Sequence, residues 1–135
     1  MRGTIDCFLP CSDYVSVSNV LRQLRGSRMI RHINLLVTRG FAMANAVPDG
    51  CSFIVVDGLL SASAMRAVAE SVAADYAMLF LKDVQVSLGQ YAIQRMVRAA
   101  ADTDAAMVYS DRRTVKDGET CAHPVIDWQE GSLRD

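Results

Sequence analysis

Apolar residues run along this chain in two rhythms. Short, nearly unbroken apolar runs at residues 5–9, 33–37, 52–56, 76–81 and 105–109 are too brief for helices and suit strands buried on both faces. Between them, Val17, Val20, Leu21 and Leu24, then Met65, Val68, Ala69 and Val72, then Ile93, Met96, Val97 and Ala100 recur at steps of three and four residues. That spacing predicts three helices, each with one buried stripe.

Polar residues, glycine and proline punctuate the pattern. Pro10 closes the first run because it has no N–H to give to a ladder, and Asp6 interrupts that run. Ser16, Ser61 or Ser63, and Ser87 stand where helix N-caps are needed, and Gly26 closes the first helix. Thr38-Arg39-Gly40, Pro48-Asp49-Gly50 and Asp57-Gly58 read as turns, while residues 41–49 carry little pattern. The resulting order is βαββαβαβ. Strands separated by helices imply an α/β fold with a mainly parallel five-stranded sheet, strand one near its centre, and right-handed crossovers that put helices on both faces. From Arg112 the character changes, and Asp117-Gly118 predicts a small C-terminal hairpin outside the sheet. The organisation expected is one α/β domain over 1–124 and a tail over 125–135. In that tail Val125, Ile126, Trp128 and Leu133 follow no period of their own, which reads as the start of a truncated further part and predicts self-association.

A chain of 135 residues suffices for one domain with a real core. With 51% hydrophobic residues, 21% charged residues and a net charge of −1, it reads as a globular, cytoplasmic protein with no call for nucleic acid. No apolar run approaches the length of about 18 residues that suggests a membrane span, and the opening residues do not form a signal sequence. The four cysteines (Cys7, Cys11, Cys51, Cys121) form no CxxC pair, and His32 and His123 lie far apart, which disfavours a zinc site and suits reduced thiols.

The glycine fingerprints of dinucleotide and P-loop sites and the GxSxG elbow are absent, which disfavours those enzyme classes. What remains is polar residues at the carboxyl ends of the predicted strands: Ser12 and Asp13, Arg39, Asp57, Lys82 and Asp83, and Ser110 and Asp111. In an open parallel sheet such ends line one ligand crevice. A carboxylate pair there, Asp83 with Asp111, suits a divalent cation and a diphosphate, whereas each aspartate alone equally suits a helix cap or a turn.

The segments Ile-Asp-Cys-Phe-Leu-Pro-Cys-Ser-Asp (5–13), Ile-Asn-Leu-Leu-Val-Thr-Arg-Gly (33–40), Gly-Leu-Leu-Ser-Ala-Ser-Ala-Met-Arg-Ala-Val-Ala (58–69), Asp-Tyr-Ala-Met-Leu-Phe-Leu-Lys-Asp (75–83) and Ala-Ala-Met-Val-Tyr-Ser-Asp (105–111) resemble, in order and spacing, the amino-terminal half of family 2 glycosyltransferases. The resemblance implies a Rossmann-like nucleotide-sugar-transferase fold. It implies a hexosyltransferase-type activity of polysaccharide biosynthesis, with a UDP- or GDP-sugar donor and a glycan acceptor. Pro10, Cys11, Ser12, Asp13 and Arg39 fall at nucleotide-binding positions, and Lys82, Asp83 and Asp111 in the diphosphate and metal region. Where the family carries a base-contacting aspartate this chain has Thr38 and Arg39. Where it carries Asp-x-Asp, for Mg or Mn, this chain has Lys82-Asp83-Val84, so neither family aspartate is in its place and Asp83, the metal-ligand candidate, occupies the middle position. Lysine there is a point charge for a diphosphate. The family's catalytic base falls beyond Asp135, so this part by itself is expected to transfer no sugar. Two other classes stay open. One is a signalling receiver phosphorylated at Asp57, with Asp13 and Lys82 as partners, although Pro10-Cys11 replaces its acidic pair and the lysine follows strand four rather than five. The other is a non-catalytic α/β interaction domain.

Overall fold

The computed structural model describes residues 3–59, 61–81 and 85–124. The chain divides into two compact units, Met1–Ile93 and Gln94–Asp135.

The first unit is built on a parallel sheet. Its elements are β1 (Ile5–Pro10), α1 (Tyr14–Arg25), β2 (Ile30–Val37), α2 (Arg39–Ala44), β3 (Cys51–Val55), α3 (Ala62–Ser71) and β4 (Tyr76–Leu79). The strand order is β3-β2-β1-β4, with every neighbouring pair parallel. The sheet has four strands, with β1 inside it as its sequence predicts, and the arrangement is Rossmann-like.

Strand parity sorts the core into two layers. Phe8, Leu36 and Ile54 lie on one face and pack with Val56, directly after β3, and with Ala64, Met65, Val68 and Val72 at and beyond α3. Cys7, Leu9, Ile33, Leu35 and Val37 point the other way and are buried, as are Val17, Val20, Leu21 and Leu24 of α1. The chain steps from β1 to β2 to β3 in one direction and returns over both to β4, so right-handed crossovers put α1 and α3 on opposite faces.

Asp6 is fully buried on the α3 face. The β1–β2 register jumps between Ile5 and Asp6, whose partners are Ile30 and His32, so Arg31 is an extra residue bulged out of the ladder. The bulge turns the Arg31 guanidinium onto Asp6 as a fork, Nε to Oδ1 at 2.8 Å and Nη2 to Oδ2 at 2.6 Å. The N–H groups of Ala73 and Ala74 donate to the same Oδ2 at 2.8 and 3.0 Å. One carboxylate thus ties β1, β2 and the turn before β4 together at the amino end of the sheet.

In the remaining part, α4 (Ala92–Thr103) buries Ile93, Val97 and Ala100 at i, i+4 and i+7. It is followed by a hairpin of β5 (Arg112–Lys116) and β6 (Glu119–His123), paired antiparallel. Asp117 and Gly118 both have positive φ, 51° and 78°, the two-residue turn that matches strand twist.

Several expected details differ. Residues 105–109 form no strand: Asp104 ends α4 in the left-handed region (φ 54°), the Ala105 N–H donates back to Ala100, and Met107 and Tyr109 are exposed. Ser87 caps no helix, because residues 85–89 are held as irregular chain against α1 and α4 starts only at Ala92. Asp13, one turn before Ser16, is the cap of α1. The weakly patterned residues 41–49 hold most of a short helix, α2, capped by Thr38. The tail over 125–135 lies outside the described residues.

Candidate functional site

The strand order reverses between β1 and β4, so the switch point of the sheet lies off the carboxyl ends of those two strands. An open α/β sheet leaves its crevice there, because the connections on either side depart to opposite faces. The ladder persists up to this edge, with Cys11 N–H donating to Leu36 at 3.0 Å, Phe80 N–H to Phe8 at 3.0 Å and Val56 N–H to Val37 at 2.9 Å. The loop after β1 is thus sheet-anchored, and so is the start of the segment after β4.

Pro10 ends β1 and is buried, and Cys11 is buried beside it, its thiol donating to the Asp13 carbonyl at 3.5 Å. Ser12 is exposed. Asp13 accepts the Ser16 N–H at Oδ1 and the Ser16 hydroxyl at Oδ2, both at 2.8 Å. Those two bonds from Ser16 hold its carboxyl below the ordinary carboxylate range. Its carboxylate occupies the amino terminus of α1, so a ligand anion there meets a negative charge first. Asp13 is placed as the cap that a lone aspartate suits, and it fixes the shape of the 11–13 loop.

Arg39 opens α2, exposed and in no ion pair among the described residues. Beside it, Phe41 stacks edge-on between Tyr14 and Phe53 at centroid distances of 5.2 and 5.9 Å. The Tyr14 hydroxyl donates to the Ala46 carbonyl, which fastens the loop after α2 to the first turn of α1. Burial, with Cys11 and Cys51 nearby, raises the Tyr14 phenol. Asp57 is exposed after β3 at the far edge of the sheet, remote in strand order from the switch point. Lys82 and Asp83 lie outside the described residues, and so does the pairing of Asp83 with Asp111. Asp111 belongs to the second unit, directly before β5.

For a metal, the described residues do not supply a cage: no three His, Cys, Asp or Glu side chains among them converge to hold one. Asp13 is spent on its cap, and no chemical step is assigned to a metal here. All four cysteines are free thiols. No helix among the described residues is long and apolar enough to cross a membrane.

Two side chains that the sequence does not single out, Asn19 and Gln23, join α1 to the chain after β4. They sit four residues apart on α1 and bind the backbone of the chain that follows β4: Asn19 Nδ2 donates to Val86 at 3.2 Å, and Gln23 bonds Leu88 twice. Their only signal in the sequence is a polar i, i+4 pair flanking the apolar stripe of α1, a pattern common on solvated helices.

Comparison of the chain with protein-family models, with curated proteins and with solved structures returns no match.

Proposed function

We propose that this chain is the donor-binding part of a glycosyltransferase of the family 2 kind, holding a nucleotide diphosphate at the switch point between β1 and β4. The observation that carries the reading is the strand order β3-β2-β1-β4, which brings the ends of β1 and β4 side by side. The 11–13 loop and the segment bearing Lys82 and Asp83 follow those two strands. They are the segments whose sequence resembles the family's nucleotide and diphosphate contacts.

In this reading the loop after β1 meets base and ribose, with Ser12 as the exposed donor and Asp13 holding the loop's shape. Arg39 belongs with that loop at the nucleotide, and Lys82 supplies positive charge toward the diphosphate, taking over part of what a metal does where Asp-x-Asp is intact. No residue of the chain is assigned the role of base, and transfer of sugar by this chain alone is not expected. The same strand order weighs against the receiver alternative, because that fold runs 2-1-3-4-5 and sets β3 rather than β4 beside β1.

Calorimetric titration with UDP and GDP, with and without manganese, tests the proposal. Weak binding that manganese leaves unchanged is expected. Tight, strictly manganese-dependent binding contradicts the role given to Lys82, and no binding of either nucleotide removes the donor-site reading. Phosphorylation of Asp57 by acetyl phosphate would favour the receiver instead.

A further inference from the structure

Strand β3 is an edge of the sheet, the one away from β4 and the switch point. Backbone groups along a strand point alternately to its two sides. Val56 N–H donates to Val37 at 2.9 Å, so Ser52, Ile54 and Val56 face β2, while Cys51, Phe53 and Val55 face outward. The Cys51 N–H is taken by the Pro48 carbonyl at 3.1 Å. The Cys51 carbonyl and both backbone groups of Phe53 and of Val55 have no hydrogen-bond partner among the described residues. Proteins blunt such edges with charged residues, proline or bulges. Cys51–Val55 carries no charge and no proline, its register with β2 runs without a break, and Val55 is 51% exposed. Met43 on α2 and Val47 on the loop that leads into β3 are exposed as well.

We propose that the outer edge of β3 is an interface between two copies of this chain, paired antiparallel about a two-fold axis at Phe53. In that register Phe53 exchanges both of its bonds with Phe53 of the other copy, and each Val55 N–H meets the Cys51 carbonyl of the other, so every free N–H of the edge is satisfied. The N–H already spent, that of Cys51, falls at the end of the ladder and leaves an acceptor rather than a donor unpaired. The edge is thus self-complementary, as an isologous contact requires, and a strand without charge has nothing to select an oppositely charged foreign segment. On the α1 face the Phe41–Phe53 stack meets its counterpart as an aromatic cross-strand pair. A five-residue edge falls short of the roughly 800 Å² per partner of a standard interface, and Asp49 of one copy approaches Asp57 of the other at either end, so the dimer is weak and reversible. Its formation leaves the switch point at β1 and β4 open, and it does not depend on the donor-site reading.

The test is analytical ultracentrifugation of the full chain and of Val55→Pro, from about 10 µM to about 1 mM, the range of a weak contact. A reversible dimer is expected of the wild type. Proline at 55 removes an outward N–H, breaks no bond to β2 and displaces little buried surface, so the variant is expected to fold. Its dimer is expected to be weaker by about tenfold or more, because the Val55 bond is lost from both copies. A wild type that stays monomeric throughout overturns the proposal. So does association that Val55→Pro leaves unchanged, the result that contact through the apolar tail would give. A second variant, Val55→Cys, serves whether or not proline is tolerated. Residues 51 and 55 of opposite copies face each other with Cα atoms about 5.5 Å apart, within disulfide reach, whereas four residues along one strand lie too far apart to bridge. Under a mild oxidant the introduced thiol is expected to join Cys51 of a second copy, identified by peptide mapping. No cross-link, or cross-links through Cys121 alone, overturn the proposal.

Discussion

Two buried side chains at the head of β1 show how burial sets the behaviour of single groups. Burial alone would push the Asp6 carboxyl up, but the Arg31 fork, the two N–H donors of Ala73 and Ala74 and the Arg31 charge outweigh it and hold it below the ordinary carboxylate range. A carboxyl depressed in the folded state contributes stability that is complete above its unfolded value and is lost as pH falls through the folded one. Thermal melts from pH 7 down to pH 2 are therefore expected to show an acid decline that Asp6→Asn flattens. Asp6→Ala is expected to cost about 2–3 kcal/mol at neutral pH, since it orphans two N–H groups, while Arg31, 45% exposed, recovers water. An unchanged denaturation midpoint in Asp6→Ala would count against that role. Next to it, burial and the Asp6 charge push the Cys7 thiol up to about 12. A thiol reagent at pH 8 is expected to modify exposed Cys121 first, and Cys7 and Cys11 only after denaturation. Rapid loss of all four thiols from the folded chain would show that β1 opens readily.

At the scale of elements, what the sequence made legible followed from periodicity, and what it hid followed from local competition. The stripes of α1 and α3 were readable because Val17, Val20, Leu21 and Leu24, and Val68 with half-buried Met65 and Val72, meet a sheet face that demands them, although buried Ala64 rather than the exposed Ala69 completes the stripe of α3. The caps were less legible, because Asp13 and Ser16 are both good caps one turn apart, and the choice goes to the residue that satisfies both the N–H and the hydroxyl of Ser16. Six-residue α2 was invisible because one and a half turns show no period, and it is held by its Thr38 cap and the Phe41 stack. The run at 105–109 has a strand's composition, yet the left-handed Asp104 commits its first N–H to closing α4. Of the candidate site, the strand ends were legible; the bonds of Asn19 and Gln23 to the chain after β4 were not, because their partners are backbone groups 65 and 67 residues away. For α3 the sequence left Ser61 and Ser63 open, and the geometry distinguishes them: Ser61 Oγ accepts the Ala64 N–H at 3.2 Å. Ser61→Ala is expected to cost about 1 kcal/mol in denaturant unfolding. Ser63→Ala should stay within about 0.5 kcal/mol. The reverse ranking would reassign the cap.

For the whole molecule, the distribution of buried surface sets which parts hold longest. In the first unit β1 is laddered on both sides and carries Cys7, Phe8 and Leu9 at 1% exposure or less, and β2 carries Leu35, Leu36 and Val37 fully buried. In the hairpin every residue of β5 is exposed, and so is every residue of β6 but His123, including Val115 at 69%. A two-stranded hairpin with no buried face has little beyond its turn and its ladder to hold it. Native-state amide exchange is therefore expected to be slowest in β1 and β2 and fastest in β5 and β6, spanning several orders of magnitude. Phe8 is the largest fully buried side chain among the described residues, and it joins β1 to α3 through the cluster with Leu36, Ala64 and Val68. Phe8→Ala leaves a cavity costing about 3–5 kcal/mol, which should speed exchange in β1 and β2 by about two to four orders of magnitude. If instead the hairpin amides were as protected as those of β1, a covering surface would have to lie over Val115, and the sheet would not be where the stability of this chain resides.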